Sequence, residues 1–164
     1  MSRHTHIGGA ILCLVVGTAL EIMPLPDLLQ AVRPPLPLMI LIYWALMWPE
    51  RLGLGAAFVI GIALDILHGQ LLGQNAFAFC VVTFITVRFH LQIRIFPLWQ
   101  MTMTVFALLT IALFLHVLID GVAGYGTEGL ARWPRTLSGA LLWPVVMSLL
   151  DRVRMQNETR TTSF

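Results

Sequence analysis

Lysine is missing from this chain of 164 residues, and charge of either sign is scarce. Ten arginines and eight carboxylates make up 11% of the residues, against roughly 25% in a soluble domain. With 58% hydrophobic residues and a mean hydropathy of +0.85, that scarcity excludes an ordinary soluble fold and places the chain in a membrane. The arginines are scattered between apolar runs, with no basic patch interleaved with aromatics, so nucleic-acid binding is excluded despite a net charge of +2. Cysteine is limited to Cys13 and Cys80, each inside an apolar run and neither with a CxxC partner. Neither a disulfide framework nor a zinc site is indicated. Serine occurs only at Ser2, Ser138, Ser148 and Ser163, never in a GxSxG elbow. No P-loop or dinucleotide fingerprint is present, and no catalytic residues are expected.

What the chain does have is apolar segments, six of them: Ile7–Met23, Leu36–Trp48, Leu52–Leu67, Ala76–Phe89, Leu98–Ile119 and Leu137–Leu150. With flanking residues they predict helices over 7–23, 36–50, 52–69, 74–90, 98–120 and 136–150, followed by a polar, fraying cytoplasmic tail over 151–164. The fold class expected is an all-α integral membrane protein, one transmembrane domain over 1–164 with about six spans in a compact bundle. Only the fifth segment has the ~20 residues that cross a ~30 Å hydrocarbon core unaided. The second, bounded by Pro35 and Pro49, reaches only ~20 Å at ~1.5 Å per residue, so it must borrow flanking residues, thin the bilayer or stop part-way. The first segment lacks an A-x-A cleavage site and is followed by Pro24-Leu25-Pro26, so it is kept as a mature helix. With six spans, Arg3, Arg51, Arg88, Arg94, Arg152, Arg154 and Arg160 share one side and Arg33, Arg132 and Arg135 the other. The positive-inside rule makes the larger group, and with it the C-terminus, cytoplasmic.

The polar residues inside these segments are the candidates for function. Gly53, Ala57, Gly61, Asp65, Gly69 and Gly73 repeat every four positions, which puts at least Gly53 to Asp65 on one helix face. Small residues there let a neighbouring helix approach closely. An ionisable group on that face points into protein, which marks Asp65 as a functional candidate; the simpler alternative is that it caps or pins a helix contact. Its expected partners are His68, three residues on, or the arginines of the outer loops. Glu21 ends the first segment, and His116 and Asp120 lie four apart at the end of the fifth. With Asp65 and His68 they form an outer cluster suited to polar locks between helices with Arg33, Arg132 or Arg135. Its spacing is a weak metal signal, and neither metal nor cofactor is expected. The loop Arg33-Pro34-Pro35 reads as rigid, with Arg33 capping Glu21 or Asp27. Between the fourth and fifth spans, Arg88, His90, Gln92 and Arg94 alternate with apolar residues. This period of two predicts an extended connector at headgroup level, either a docking strip or a plain positive-inside anchor. Tyr43, Trp44, Trp48, Trp99, Trp133 and Trp143 read as interfacial anchors.

Taken in order, Arg33-Pro34, Leu41-Ile42-Tyr43-Trp44, Pro49, Gly61-x3-Asp65-x3-Gly69, Leu72-Gly73, Leu98-Trp99-Gln100 and Leu142-Trp143-Pro144 ahead of Arg152 and Arg154 resemble the MreD family of bacterial rod-shape-determining proteins. The resemblance covers roughly residues 22 to 154. It implies a non-enzymatic inner-membrane subunit of the cell-wall elongation machinery, partnering MreC and through it MreB, RodA and a penicillin-binding transpeptidase. It also implies a fold similar to the substrate-binding membrane component of energy-coupling-factor transporters. Arg33, Pro34 and Asp65 carry over as characteristic positions. A scaffold that binds partner membrane proteins is therefore the first functional expectation. A small-molecule-binding component of a transporter is the alternative, which short spans and an outward polar cluster would suit.

Overall fold

The computed structural model describes residues 3–23, 26, 32–50, 53–69, 71–124 and 132–161, with backbone alone at 3–7 and 156–161. Asp27, Arg51 and most of the glycine-containing connection after residue 124 lie outside the described residues, as does any contact between Arg33 and Asp27. Among the described residues, six helices follow in order: α1 Arg3–Ile22, α2 Leu36–Met47, α3 Leu54–His68, α4 Gln74–Ile95, α5 Leu98–Val122 and α6 Trp133–Thr161. Their ends are set by glycine and proline. Pro35 and Pro37 open α2, where a fixed φ and a missing N–H cost nothing. Gly69 closes α3 in the left-handed region at φ 61° and Gly73 precedes α4 at φ 101°, conformations that side chains with a Cβ rarely adopt. Pro97 forces Phe96 into extended backbone at φ −69°, ψ 142°, which ends α4 and starts α5.

The packing explains the short second segment. Every residue of α2 from Pro37 to Leu46 is buried, and the helix is in contact with α1, α4 and α6. A helix apolar on all sides is stable only when surrounded, and one enclosed by protein does not have to match the bilayer thickness. At 12 residues it measures only ~18 Å. Around it, α3 packs along α4, and α5 lies between α4 and α6. Among the described residues, three helical stretches, Gln74–Ile95, Leu98–Val122 and Trp133–Met155, are long and apolar enough to cross a membrane. Exposed Val59, Phe84, Met103 and Leu141 belong to the large apolar surface that the helices leave outside the core, as a membrane domain requires. The result is a compact all-helical membrane bundle.

The α3–α4 seam is unusually close. A Cβ added at Gly61 would stand 2.2 Å from the Cα and 2.5 Å from the backbone nitrogen of Ala76, so only glycine fits. Ala57 and Asp65 are fully buried on the same face of α3. Gly69 and Gly73, the last members of the four-residue ladder, belong to the turn and not to the ridge.

Three expectations need correction. The Arg88–Pro97 connector is not extended: α4 continues without a break to Ile95, so its alternation of polar and apolar residues lies on the last turns of a helix. The segment over 136–150 is longer at both ends. α6 begins at Trp133 and remains helical beyond Leu150 to Thr161, so residues 151 to 161 are not a frayed tail. Its extension is docked on α2 by the Tyr43 hydroxyl, which donates to Asp151, and by Arg154, whose Nη1 lies 2.9 Å from Met47 Sδ. Finally, Tyr43, Trp44 and Trp143 are wholly buried. Residues 43 and 44 lie on the enclosed helix, where Tyr43 meets Trp44 edge-on at 5.3 Å. Trp99 and Trp133 remain exposed.

Candidate functional site

The C-terminal ends of α1, α3 and α5 meet the N-terminal ends of α2, α4 and α6 at one end of the bundle, and the polar side chains converge there. Asp65 is completely buried, near the C-terminus of α3, where the helix's own dipole disfavours an anion. The next helix compensates. Oδ2 accepts from the Gly73 N–H at 2.8 Å. Oδ1 accepts from the Asn75 N–H and the Asn75 side-chain amide, both at 2.9 Å. The carboxylate thus caps α4 from a neighbouring helix, satisfying N–H groups that no intrahelical carbonyl can reach. Neither His68 nor an outer-loop arginine is the partner in these bonds. The glycines at 69 and 73 supply the turn that folds the start of α4 back onto α3, so the Gly61-x3-Asp65-x3-Gly69 spacing and Gly73 form one structural device.

Two ion pairs tie the remaining helices together. Arg135 at the start of α6 donates from Nη2 to Glu21 Oε1 on α1 at 2.7 Å and from Nε to the Arg33 carbonyl at 3.1 Å. Gln74 donates to Asp120 on α5 at 2.8 Å, and Arg132 approaches the other oxygen of Asp120 at 3.4 Å. The Glu21 side chain is only 9% exposed while that of Arg135 is 34% exposed, so the pair reaches from the interior to the surface.

Between these contacts lies a cavity of about 130 Å³. Glu21, Asn75, His116 and Thr136 are among the polar groups that line it, and Leu38, Leu64, Phe79 and Leu109 are among the apolar ones. Glu21 Oε2 and His116 Nε2 are buried without a hydrogen-bonding protein partner among the described residues. Among the described residues, no three His, Cys, Asp or Glu side chains are grouped to hold a metal ion. The arrangement pins helices and leaves a small pocket lined by both polar and apolar side chains.

Of the other sequence candidates, Arg33, Pro34 and His68 lie at this same end, whereas Arg88 and Arg94 lie toward the far end of α4. Arg33 donates from Nη1 to the Met23 carbonyl at 2.9 Å, closing the α1–α2 connection. The Pro34 carbonyl accepts from the Leu36 N–H at 2.9 Å. His68 lines the cavity but is exposed at the end of α3, and Arg88 and Arg94 are exposed on α4. Gln74, Asn75 and Thr136 were missed by sequence reading, being ordinary polar residues at helix starts. The placement of Gln74 and Asn75 directly after Gly73 was the available signal. Tyr43 with Asp151 was missed as well, since 108 positions separate them.

Residues 4–153 match the family model described as rod shape-determining protein MreD. The curated rod shape-determining protein MreD of Haemophilus influenzae is 27% identical over 143 residues, covering 85% of this chain and 86% of that protein. No solved structure matches the chain.

Proposed function

The chain belongs to the MreD family, multi-pass membrane proteins of rod-shape determination, and from that premise we propose that it is a non-enzymatic scaffold that holds partner membrane proteins during cell-wall elongation. The carrying observation is the family match over residues 4–153, which takes in every helix of the bundle. The chemistry of the polar residues supports it: Asp65, Glu21 and Asp120 are engaged in bonds between helices, an arrangement suited to a rigid platform. MreC is the proposed direct partner, with MreB, RodA and a penicillin-binding transpeptidase reached through it. The proposed location is the bacterial inner membrane with the C-terminus in the cytoplasm, Arg88 and Arg94 anchoring α4 at the cytoplasmic headgroups. Arg33 and Pro34 shape the opposite end, where the ion pairs lie. Depletion of the protein in a rod-shaped cell should produce rounded, widened cells within a few generations. Cells that keep normal width and elongation rate after the protein is lost would remove this reading.

A further inference from the structure

We propose that the cavity at the ion-paired end of the bundle is a binding site for a small, uncharged, hydroxylated solute of the polyol class. Its charge is already balanced: Glu21 is paired with Arg135 and Asp120 with Arg132, while Asp65 is held by the N–H groups at the start of α4. An anion entering the cavity would meet the Glu21 carboxylate, and a cation would meet the two guanidinium groups, so neither is favoured. What stays unsatisfied is hydrogen bonding. Glu21 Oε2 and His116 Nε2 are buried, line the same cavity and have no protein partner among the described residues. Buried polar atoms are rarely left so without a ligand or water to serve them. A carboxylate oxygen can only accept, whereas an imidazole nitrogen donates or accepts according to its tautomer. A hydroxyl group can do either, donating to the carboxylate oxygen and donating to or accepting from the imidazole nitrogen. Leu38, Leu64, Phe79 and Leu109 form an apolar wall, which suits a short carbon skeleton. The volume of about 130 Å³ admits a molecule of glycerol's size.

The full chain in phosphatidylcholine nanodiscs should show saturation transfer to glycerol by NMR. Choline, a cation that keeps a hydroxyl group, and glycerol phosphate, an anion, should show none. Two variants alter the wall that α5 contributes, at positions one turn apart. Ala112→Leu, at a buried position lining the cavity, fills it, and His116→Phe removes the unpaired nitrogen. Each should abolish transfer to glycerol while the helical circular dichroism stays intact. Absence of transfer in the natural protein would show that water alone serves these atoms and overturn the proposal. So would undiminished transfer in either folded variant, or equal transfer to the charged solutes. If neither variant folds, the comparison of glycerol with the charged solutes on the natural protein still decides.

Discussion

At Asp65 the two carboxylate oxygens divide their work, one on the N–H groups of Gly73 and Ala76 and the other on both nitrogens of Asn75. Asparagine retains a single acceptor and turns an amide N–H₂ toward donors. Leucine keeps none and leaves four donors unmet, each worth about 1–3 kcal/mol when buried. Asp65→Asn should therefore lower the unfolding midpoint of the purified protein moderately, and Asp65→Leu should lower it severely and reduce the amount found in membranes. A leucine variant that unfolds like the natural protein would contradict the capping role. The inward direction of this carboxylate was legible in the sequence, because the small residues at four-residue spacing define a packed face. Its partners were not legible. They are backbone N–H groups, which carry no residue signature, brought within reach by a turn that depends on two left-handed glycines. Glu21 and Arg135 were each visible as charges in apolar surroundings, yet 114 positions separate them, and only the folded bundle pairs them.

Among the elements, the α3–α4 seam makes the clearest demand on sequence. The atoms facing Gly61 are the backbone of Ala76, which cannot move as a flexible side chain can. Overpacking a core typically costs about 1–3 kcal/mol, and a Gly61→Ala substitution should reach at least the upper part of that range. Gly55 is on the same helix with nothing within 4 Å of an added Cβ. There Gly55→Ala should be neutral or stabilising by up to about 1 kcal/mol from helix propensity. Thermal unfolding of the two variants side by side tests this, and equal midpoints would refute the close approach. Existence and order of the helices were readable because apolar runs and proline or glycine boundaries coincide. The last turns of α4 were misread because exposed Phe89, Leu91 and Ile95 and the charged side chains share a helix end, so no clean period of 3.6 appears. The extension of α6 was hidden because its support comes from another helix, through Tyr43 and Asp151.

For the whole molecule, the alternation of helix direction gathers Glu21, Asp65, Asp120, Arg132 and Arg135 at one end, and the Tyr43–Asp151 contact at the other. In the orientation proposed above from the arginine asymmetry, the Tyr43–Asp151 end faces the cytoplasm. A cytoplasm-dependent fluorescent reporter fused after Phe164 should be active and a periplasm-dependent phosphatase inactive; the reverse pattern would invert the topology. The short α2, puzzling as a lone span, is explained only at this scale, as the enclosed axis of the bundle. Central to the whole account is that the protein acts by holding partners. The most direct measurement is quantitative mass spectrometry of the full-length tagged chain purified from membranes in mild detergent. The account predicts MreC in a fixed molar ratio to the chain, retained through size-exclusion chromatography. A folded, monodisperse chain recovered without MreC from cells that express both would contradict it.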